Sequence, residues 1–183
     1  MSNELQRNEC LLLCIDYQEK LLAKIDKAET ITKNAIIMIR AAKVLGIPII
    51  VTEQYPKGLG RTVKDIVEAL GREYKPIEKN CFNCFGSSDF TTKLESTGHR
   101  RLLVMGIESH VCVIQTVLEA LKRKYEVHLL EDTISSRTSE NRRIAMDRMV
   151  REGAIPSSVE MTIYEILKTS ESPEFKRILE FVK

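Results

Sequence analysis

The sequence predicts an α/β fold, with a three-layer, doubly wound parallel sheet of about six strands. Short apolar runs rich in Ile, Leu and Val alternate along the chain with longer stretches whose apolar residues recur at helical spacing. The short runs do not alternate between apolar and polar residues, which is typical of strands buried on both faces. Because strands and helices alternate, right-handed helical crossovers should connect parallel strands.

The elements follow in order from these patterns. The strands are predicted at residues 11–15, 47–51, 74–78, 102–105, 127–130 and 154–155. The helices are predicted at residues 31–45, 62–70, 90–96, 110–124, 139–152, 159–167 and 173–182. Three predicted helices are followed by a glycine, which favours a helix end: Gly46, Gly71 and Gly153. The last predicted helix begins at Pro173, since proline fits the first turn of a helix. We see no repeat or linker, so residues 1–183 are expected to form one domain.

Composition excludes several classes of function. The chain has 28 Lys and Arg against 26 Asp and Glu, interspersed, so no nucleic-acid partner is expected. No apolar run approaches the ~20 residues of a membrane span, and the start of the chain lacks the apolar core of a signal peptide. Five cysteines at uneven spacing favour reduced thiols over a disulfide framework. We therefore expect a cytoplasmic protein with no membrane partner.

One cysteine lies where the fourth predicted strand passes into a helix. Residues 106–113 read GIESHVCV, which places Cys112 in the first turn of that helix. The positive end of a helix dipole favours the nucleophilic thiolate, and backbone N–H groups there can hold an oxyanion. A buried structural cysteine is the alternative, because free cysteine is among the most buried residue types.

Two further residues are predicted at the same edge of the sheet. Ligands of open parallel sheets bind beyond the carboxyl ends of the strands. Asp16 follows the first predicted strand, Lys79 follows the third, and Cys112 follows the fourth. Taken singly, Asp16 could be a turn cap and Lys79 a surface lysine. Together they place a proton acceptor, a cation and a thiol at one edge.

These residues carry a resemblance to the isochorismatase-like cysteine hydrolases over nearly the whole chain. The matching pieces are residues 15–18 (IDYQ), Lys79 with Phe82 and Phe85, and residues 106–113. Two segments resemble the isochorismatase domain-containing proteins of eukaryotes and their bacterial relatives in particular. They are residues 51–60 (VTEQYPKGLG) and 131–137 (EDTISSR).

The resemblance implies a catalytic triad of Asp16, Lys79 and Cys112. The thiol would attack an electrophilic carbon, the aspartate would take the thiol proton, and the lysine would stabilise the charged pair. The resemblance also implies a cis peptide between Ile107 and Glu108, and an oxyanion hole formed by the backbone N–H groups of Glu108 and Cys112.

One departure from the superfamily concerns metal binding. Its nicotinamidases hold a metal through an Asp-x-His pair after the second strand, whereas residues 52–55 read TEQY here. We therefore expect no metal and no cofactor. Enzymes that act on isochorismate itself do not need a thiol nucleophile, so Cys112 argues against that substrate.

Six residues are predicted to bind the substrate: Gln18, Gln54, Tyr55, Phe82, Phe85 and His110. His110 could instead cap the helix, and we favour this structural role over substrate binding. Cys81 and Cys84 have the spacing of a redox or zinc pair, but no second pair completes a zinc site, and packing is the preferred interpretation.

The predicted function is a metal-independent cysteine hydrolase that acts on a small amide-like or C–N substrate. Relatives form dimers or larger rings, so a homo-oligomer is expected, with late helices supplying apolar faces through Ile144, Met146, Met149 and Val150. The alternatives are a non-catalytic interaction protein with the same fold and, less favoured, a ribonuclease, which is a label some relatives carry.

Overall fold

The computed structural model describes residues 4–182, which form a six-stranded sheet in the order β3-β2-β1-β4-β5-β6. The strands β1 to β6 are Cys10–Ile15, Ile49–Gln54, Ile77–Lys79, Arg101–Ile107, Glu126–Ser135 and Ile155–Ser157. Every neighbouring pair is parallel. The α/β prediction is confirmed. The strand order reverses between β1 and β4, so Asp16 and Cys112 follow the two strands that flank the reversal.

Helices cover both faces of the sheet. The helices α1 to α9 are Glu19–Leu22, Ala28–Leu45, Pro56–Leu59, Lys64–Leu70, Ser88–Ser96, Ile114–Lys122, Ser139–Arg151, Val159–Leu167 and Phe175–Val182. Short 3-10 turns lie at Gly71–Glu73 and Cys84–Gly86, and a π-helical turn lies at Ser109–Val113. Among the described residues, no helix is long and apolar enough to cross a bilayer.

Strand β1 is the centre of two apolar cores. Leu12 and Cys14 belong to the core that includes residues of α2, α4, α8 and α9. Leu11, Leu13 and Ile15 belong to the core that includes residues of α5, α6 and α7. Because successive side chains of a strand point to opposite faces, this division makes β1 buried on both sides and explains its unbroken apolar run.

Several predicted bounds were wrong where polar residues continue a strand. Strand β2 was predicted to end at Val51 but runs through Gln54, and β5 was predicted to end at Leu130 but runs through Ser135. Five of these polar residues are buried and hydrogen-bonded (Thr52, Glu53, Gln54, Thr133 and Ser135), whereas Glu131 and Asp132 are half-buried. Hydropathy alone does not show such partners. The short helices α1 and α3 were also missed, and the predicted helix 110–124 begins with the π-helical turn.

Gly106 allows β1 and β4 to approach closely just before the residues of interest. Its φ is +146°, and a Cβ atom there would lie 2.4 Å from the carbonyl oxygen of Ile15. Side chains essentially never tolerate such a contact with backbone, so only glycine fits this position. The close approach brings the ends of both strands to one place, where Asp16 and the turn holding Cys112 begin.

We predict that Gly106→Ala lowers the free energy of unfolding by about 2–4 kcal/mol, because backbone strain and overpacking both act there. Chemical denaturation measures this loss in the free energy of unfolding. Gly153→Ala is the matched control, since φ is +108° there but nothing lies within 4 Å of an added Cβ. Equal losses in the two variants would contradict the close-approach argument.

Candidate active site

A buried ion pair lies at the carboxyl edge of the sheet. Asp16 directly follows β1 with a left-handed φ of 55°, and Lys79 is the last residue of β3. The Lys79 Nζ donates to Asp16 Oδ2 over 2.7 Å, and both side chains are fully buried. Burial by itself lowers the pKa of Lys79, but the neighbouring Asp16 carboxylate raises it overall, so the ammonium stays charged.

Strand β2 lies between the strands that carry these two residues, and it holds both in place. The Thr52 Oγ1 donates to Asp16 Oδ1 over 2.7 Å, and the Gln54 Oε1 accepts from Lys79 Nζ over 2.8 Å. The carbonyl of Cys81 also accepts from Lys79 Nζ, at 3.3 Å. Each carboxylate oxygen of Asp16 therefore has a donor, and the ammonium has three acceptors.

Thr52 was missed by the sequence analysis. The available signal was a polar pair two residues apart at the end of an apolar run, because residues i and i+2 of a strand share one face. Thr52 and Gln54 form such a pair, and their side chains bond to Asp16 and Lys79.

The two predicted glutamines act mainly on the backbone. The Gln18 Oε1 accepts from the N–H of Gln54 over 2.7 Å, and the Gln18 Nε2 donates to the carbonyls of Gln54 and Gly60 at 2.9 and 2.7 Å. The Gln54 Nε2 donates to the carbonyl of Asn80 over 2.8 Å. Both amides thus join neighbouring segments of the site, and these contacts do not support their predicted role in binding substrate.

Cys112 lies in the π-helical turn, and its thiol is close enough to Asp16 and Lys79 for both charges to act on its pKa. Only 4% of the residue is exposed. Burial first, and then the negative charge of Asp16, raise the pKa of the Cys112 thiol well above its ordinary value, while Lys79 acts in the opposite direction. The expectation of a resting thiolate was therefore wrong, because desolvation and the Asp16 charge both disfavour the ionised thiol. The resting group is a neutral thiol beside a proton acceptor.

A second thiol lies beside this cluster. Cys84 is fully buried, and its Sγ lies 4.0 Å from Thr52 Oγ1. Its N–H donates to Thr116 Oγ1, which in turn donates to the carbonyl of Cys112, at 3.0 and 2.8 Å. Burial raises the pKa of Cys84 to about 12. Cys81 and Cys84 are both free thiols; Cys84 is buried, whereas Cys81 is half-buried.

The cis peptide between Ile107 and Glu108 is present. The carbonyl of Glu108 accepts the N–H groups of Val111 and Val113, at 3.1 and 3.2 Å. The Glu108 carboxylate forms a two-pronged pair with the Arg137 guanidinium, at 2.7 and 3.0 Å. Burial alone raises the pKa of Glu108, but these bonds lower it overall. The oxyanion hole of the Glu108 and Cys112 N–H groups stays a prediction.

His110 and the aromatic residues take different places from those predicted. The His110 Nδ1 bonds to Ser136 Oγ over 2.9 Å, and the Ser136 hydroxyl also bonds to that of Ser109. The turn at Ser109–Val113 has no side-chain cap, so the predicted role of His110 as a helix cap is not supported. The Phe85 ring lies in the core, 5.2 Å from the ring of Phe90. Its predicted contact with substrate has no support there.

Tyr55 and Phe82 are about half exposed, at 53% and 52%. Tyr55 borders a cavity of about 600 Å³ beside Lys79 and Cys81, and a second cavity of about 440 Å³ is bordered by Leu59 and Glu108. Cys112 lines neither of these two cavities. Among residues 4–182, no group of three or more His, Cys, Asp or Glu is arranged to hold a metal.

This fold and site define a class of α/β protein with a buried Asp–Lys–Cys cluster at the carboxyl edge of the sheet. A family model described as the isochorismatase domain matches residues 10–161. The chain therefore belongs to the isochorismatase family, and its fold is that of the family's hydrolases.

Individual relatives agree with this assignment. Isochorismatase domain-containing protein 1 of Salmo salar is 36% identical over 173 residues, which are 94% of this chain and 60% of that protein. A solved structure described as the MAR1 ribonuclease of Caenorhabditis elegans is 36% identical with a TM-score of 0.90, over 98% of this chain and 92% of that one. This chain thus spans less than two thirds of the salmon protein.

A third relative shows the fold alone. The YcaC gene product of Escherichia coli, described as an octameric hydrolase of unknown specificity, has a TM-score of 0.92 at 21% identity. The match covers 99% of this chain and 91% of that chain.

We predict that the free energy of unfolding falls above about pH 8.5 and falls less steeply in Cys112→Ala. Burial raises the pKa of the folded thiol above the unfolded value of about 8.5, so its contribution is complete below that pH and is lost as the pH rises. The slopes should differ by up to about 1.4 kcal/mol per pH unit. Denaturation between pH 6 and 8 is the control range, where the slopes should agree. Identical slopes above pH 9 would show that the folded thiol titrates as it does in the unfolded chain.

Proposed function

We propose that this protein is a metal-independent cysteine hydrolase that acts on a small amide-like or related C–N substrate. One observation carries the proposal: the Asp16 carboxylate is bonded to the Lys79 ammonium and the Thr52 hydroxyl, and its charge acts on the neighbouring Cys112 thiol. A thiol, a proton acceptor and a fixed cation are the groups that covalent hydrolysis by cysteine needs.

The first step follows from the neutral resting thiol. As the sulfur attacks the substrate carbonyl carbon, its proton passes to the neighbouring Asp16 carboxylate. The Lys79 ammonium stays beside Asp16 and the sulfur, where it favours the transient negative charge. The backbone N–H groups of Glu108 and Cys112 are the proposed donors to the oxyanion of the tetrahedral adduct.

The second half of the reaction reuses Asp16. Its proton passes to the leaving nitrogen, the C–N bond breaks, and a thioester remains on Cys112. Asp16 then takes a proton from water, the resulting hydroxide equivalent attacks the thioester carbon, and the C–S bond breaks. The proton returns to the sulfur, so the acid product leaves and the resting thiol is restored.

The proposals on assembly, domain organisation and location have fewer observations behind them than the proposed reaction has. We infer a homo-oligomeric, cytoplasmic protein with residues 1–183 in one domain; the octameric description of the E. coli relative supports the first point. The predicted apolar face was partly wrong. Met146 and Met149 pack into the core, whereas 51% of Ile144 and 38% of Val150 are exposed.

A ribonuclease is the second candidate, because the C. elegans relative is described as one. RNA cleavage by this chain that is lost in Asp16→Asn would favour it. A non-catalytic interaction protein is the remaining alternative, and nothing in the contacts of Asp16 favours it.

We predict that Cys112→Ala and Asp16→Asn lose turnover of any small amide found by screening, with a factor of about 10²–10⁴ for the lost base. Mass spectrometry should detect an acyl adduct on Cys112 in the unmodified protein. Cys81→Ala is the matched control, since it removes a nearby half-exposed thiol that does not bond to Asp16. Full activity in both Cys112→Ser and Cys112→Ala would end the proposal.

We also predict that Thr52→Val lowers the free energy of unfolding by about 1–3 kcal/mol and slows turnover, because one buried oxygen of Asp16 loses its donor. Thr52→Ser keeps the hydroxyl and is the matched control. Denaturation and single-turnover rates measure the two effects. If the valine and serine variants behave alike, the hydroxyl does not support Asp16.

A further inference from the structure

A cavity at the opposite edge of the sheet is rich in positive charge. It has a volume of about 550 Å³ and lies next to Gly46, Ile47 and Pro48, which precede β2. Its charged lining is four basic side chains and one acidic one: Arg40, Lys43, Arg72, Arg177 and Glu73. The whole chain has a net charge of only +2, so positive charge is concentrated at this place.

Two of the cations have no carboxylate to balance them. Part of the hydrogen-bonding capacity of Lys43 is taken up, because its Nζ donates to the carbonyls of Ala69 and Leu70 at 2.8 and 3.1 Å. Lys43 thereby caps the end of α4. The Arg72 Nε lies 3.5 Å from Glu73 Oε1. Within residues 4–182, Arg40 and Arg177 form no ion pair with a carboxylate. These two come from different helices, α2 and α9, and both line the same cavity.

The rest of the lining is apolar. Val44, Ile47, Pro48 and Phe181 form it together with the charged side chains. Cavities of about 300–1,000 Å³ that combine apolar walls with a few convergent polar groups are typical of small-molecule sites. Guanidinium groups bind phosphate oxygens with two parallel hydrogen bonds, and a phosphate brings more than one negative charge.

We propose that this cavity binds a phosphorylated small molecule with an apolar ring, of the nucleoside diphosphate or triphosphate class. The phosphates pair with Arg40 and Arg177, and the ring lies against Phe181 and Val44. The site is distinct from the Asp16–Lys79–Cys112 cluster, which lies at the carboxyl ends of the strands, and it does not depend on the proposed hydrolysis.

Charge around the cavity favours a compact ligand over a nucleic-acid strand. The adjoining cavities, which share Arg40, are lined by the carboxylates of Glu29, Asp65, Glu68 and Glu180. An extended polyanion that followed the surface from the basic cavity would meet these negative charges and be repelled. A ligand confined to the cavity avoids them.

The test is calorimetric titration of the full chain with adenosine diphosphate, inorganic pyrophosphate and adenosine in low salt. We expect adenosine diphosphate to bind with a Kd of about 1 mM or tighter, pyrophosphate more weakly, and adenosine not measurably. Arg40→Gln and Arg177→Gln should each weaken binding by about tenfold or more, because a charge-assisted contact is lost. Both side chains are exposed, so both variants should fold as the unmodified chain does.

Two control variants test whether binding is specific to this cavity. Arg151→Gln removes the same charge from α7, whose buried residues belong to the core on the other face of the sheet, and it should leave binding unchanged. Cys112→Ala should also bind normally, whatever its effect on turnover.

Three results would overturn the proposal. They are no binding of adenosine diphosphate at millimolar concentration, an equal loss in Arg151→Gln and Arg177→Gln, or loss of binding in Cys112→Ala. Tighter binding of a single-stranded RNA than of adenosine diphosphate, with dependence on Arg40, would assign the surface to nucleic acid instead.

Discussion

The buried pair of Lys79 and Asp16 is the interaction on which the functional edge depends. Two charges removed from water are stable only when their geometry is good and their remaining hydrogen-bonding capacity is used. Here Thr52, Gln54 and the carbonyl of Cys81 supply those bonds. Since these partners come from β2 and the segment after β3, the pair ties three parts of the chain together.

The same pair bears on how a neutral thiol could react in the proposed hydrolysis. A thiolate buried beside Asp16 would place two negative charges close together, so the proton stays on sulfur. In the proposed reaction, proton transfer to Asp16 during attack avoids that state, and the Lys79 ammonium keeps a positive charge beside the carboxylate. The buried neutral thiol of that proposal is activated only when an electrophile is bound.

A second buried carboxylate, that of Glu53, lies near the carboxyl edge of the sheet and bonds to the segment that follows β2. Glu53 accepts hydrogen bonds from the N–H and hydroxyl of Thr62, from the Tyr74 hydroxyl and from Arg61. Burial alone raises the pKa of Glu53, but these donors lower it overall, so it remains ionised. Through Glu53 the end of β2 holds the segment that contains Arg61 and Thr62.

The sequence by itself determined the α/β class, the number of strands and the edge at which Asp16, Lys79 and Cys112 meet. Apolar runs and helical spacing report burial directly, and parallel strands place their carboxyl ends together. It did not determine the length of β2 and β5, because buried polar residues such as Thr52 look like loop residues until their partners are known.

Only the tertiary structure decided the protonation of Cys112, the scaffold role of Gln18 and the place of Phe85 in the core. It alone also joined Arg40 and Arg177, which are far apart in the chain, around one cavity. The physical reason is the same in each case. Desolvation, hydrogen bonding and charge act between residues that only folding brings into contact, whereas a sequence pattern reports the environment of a segment and not its partners.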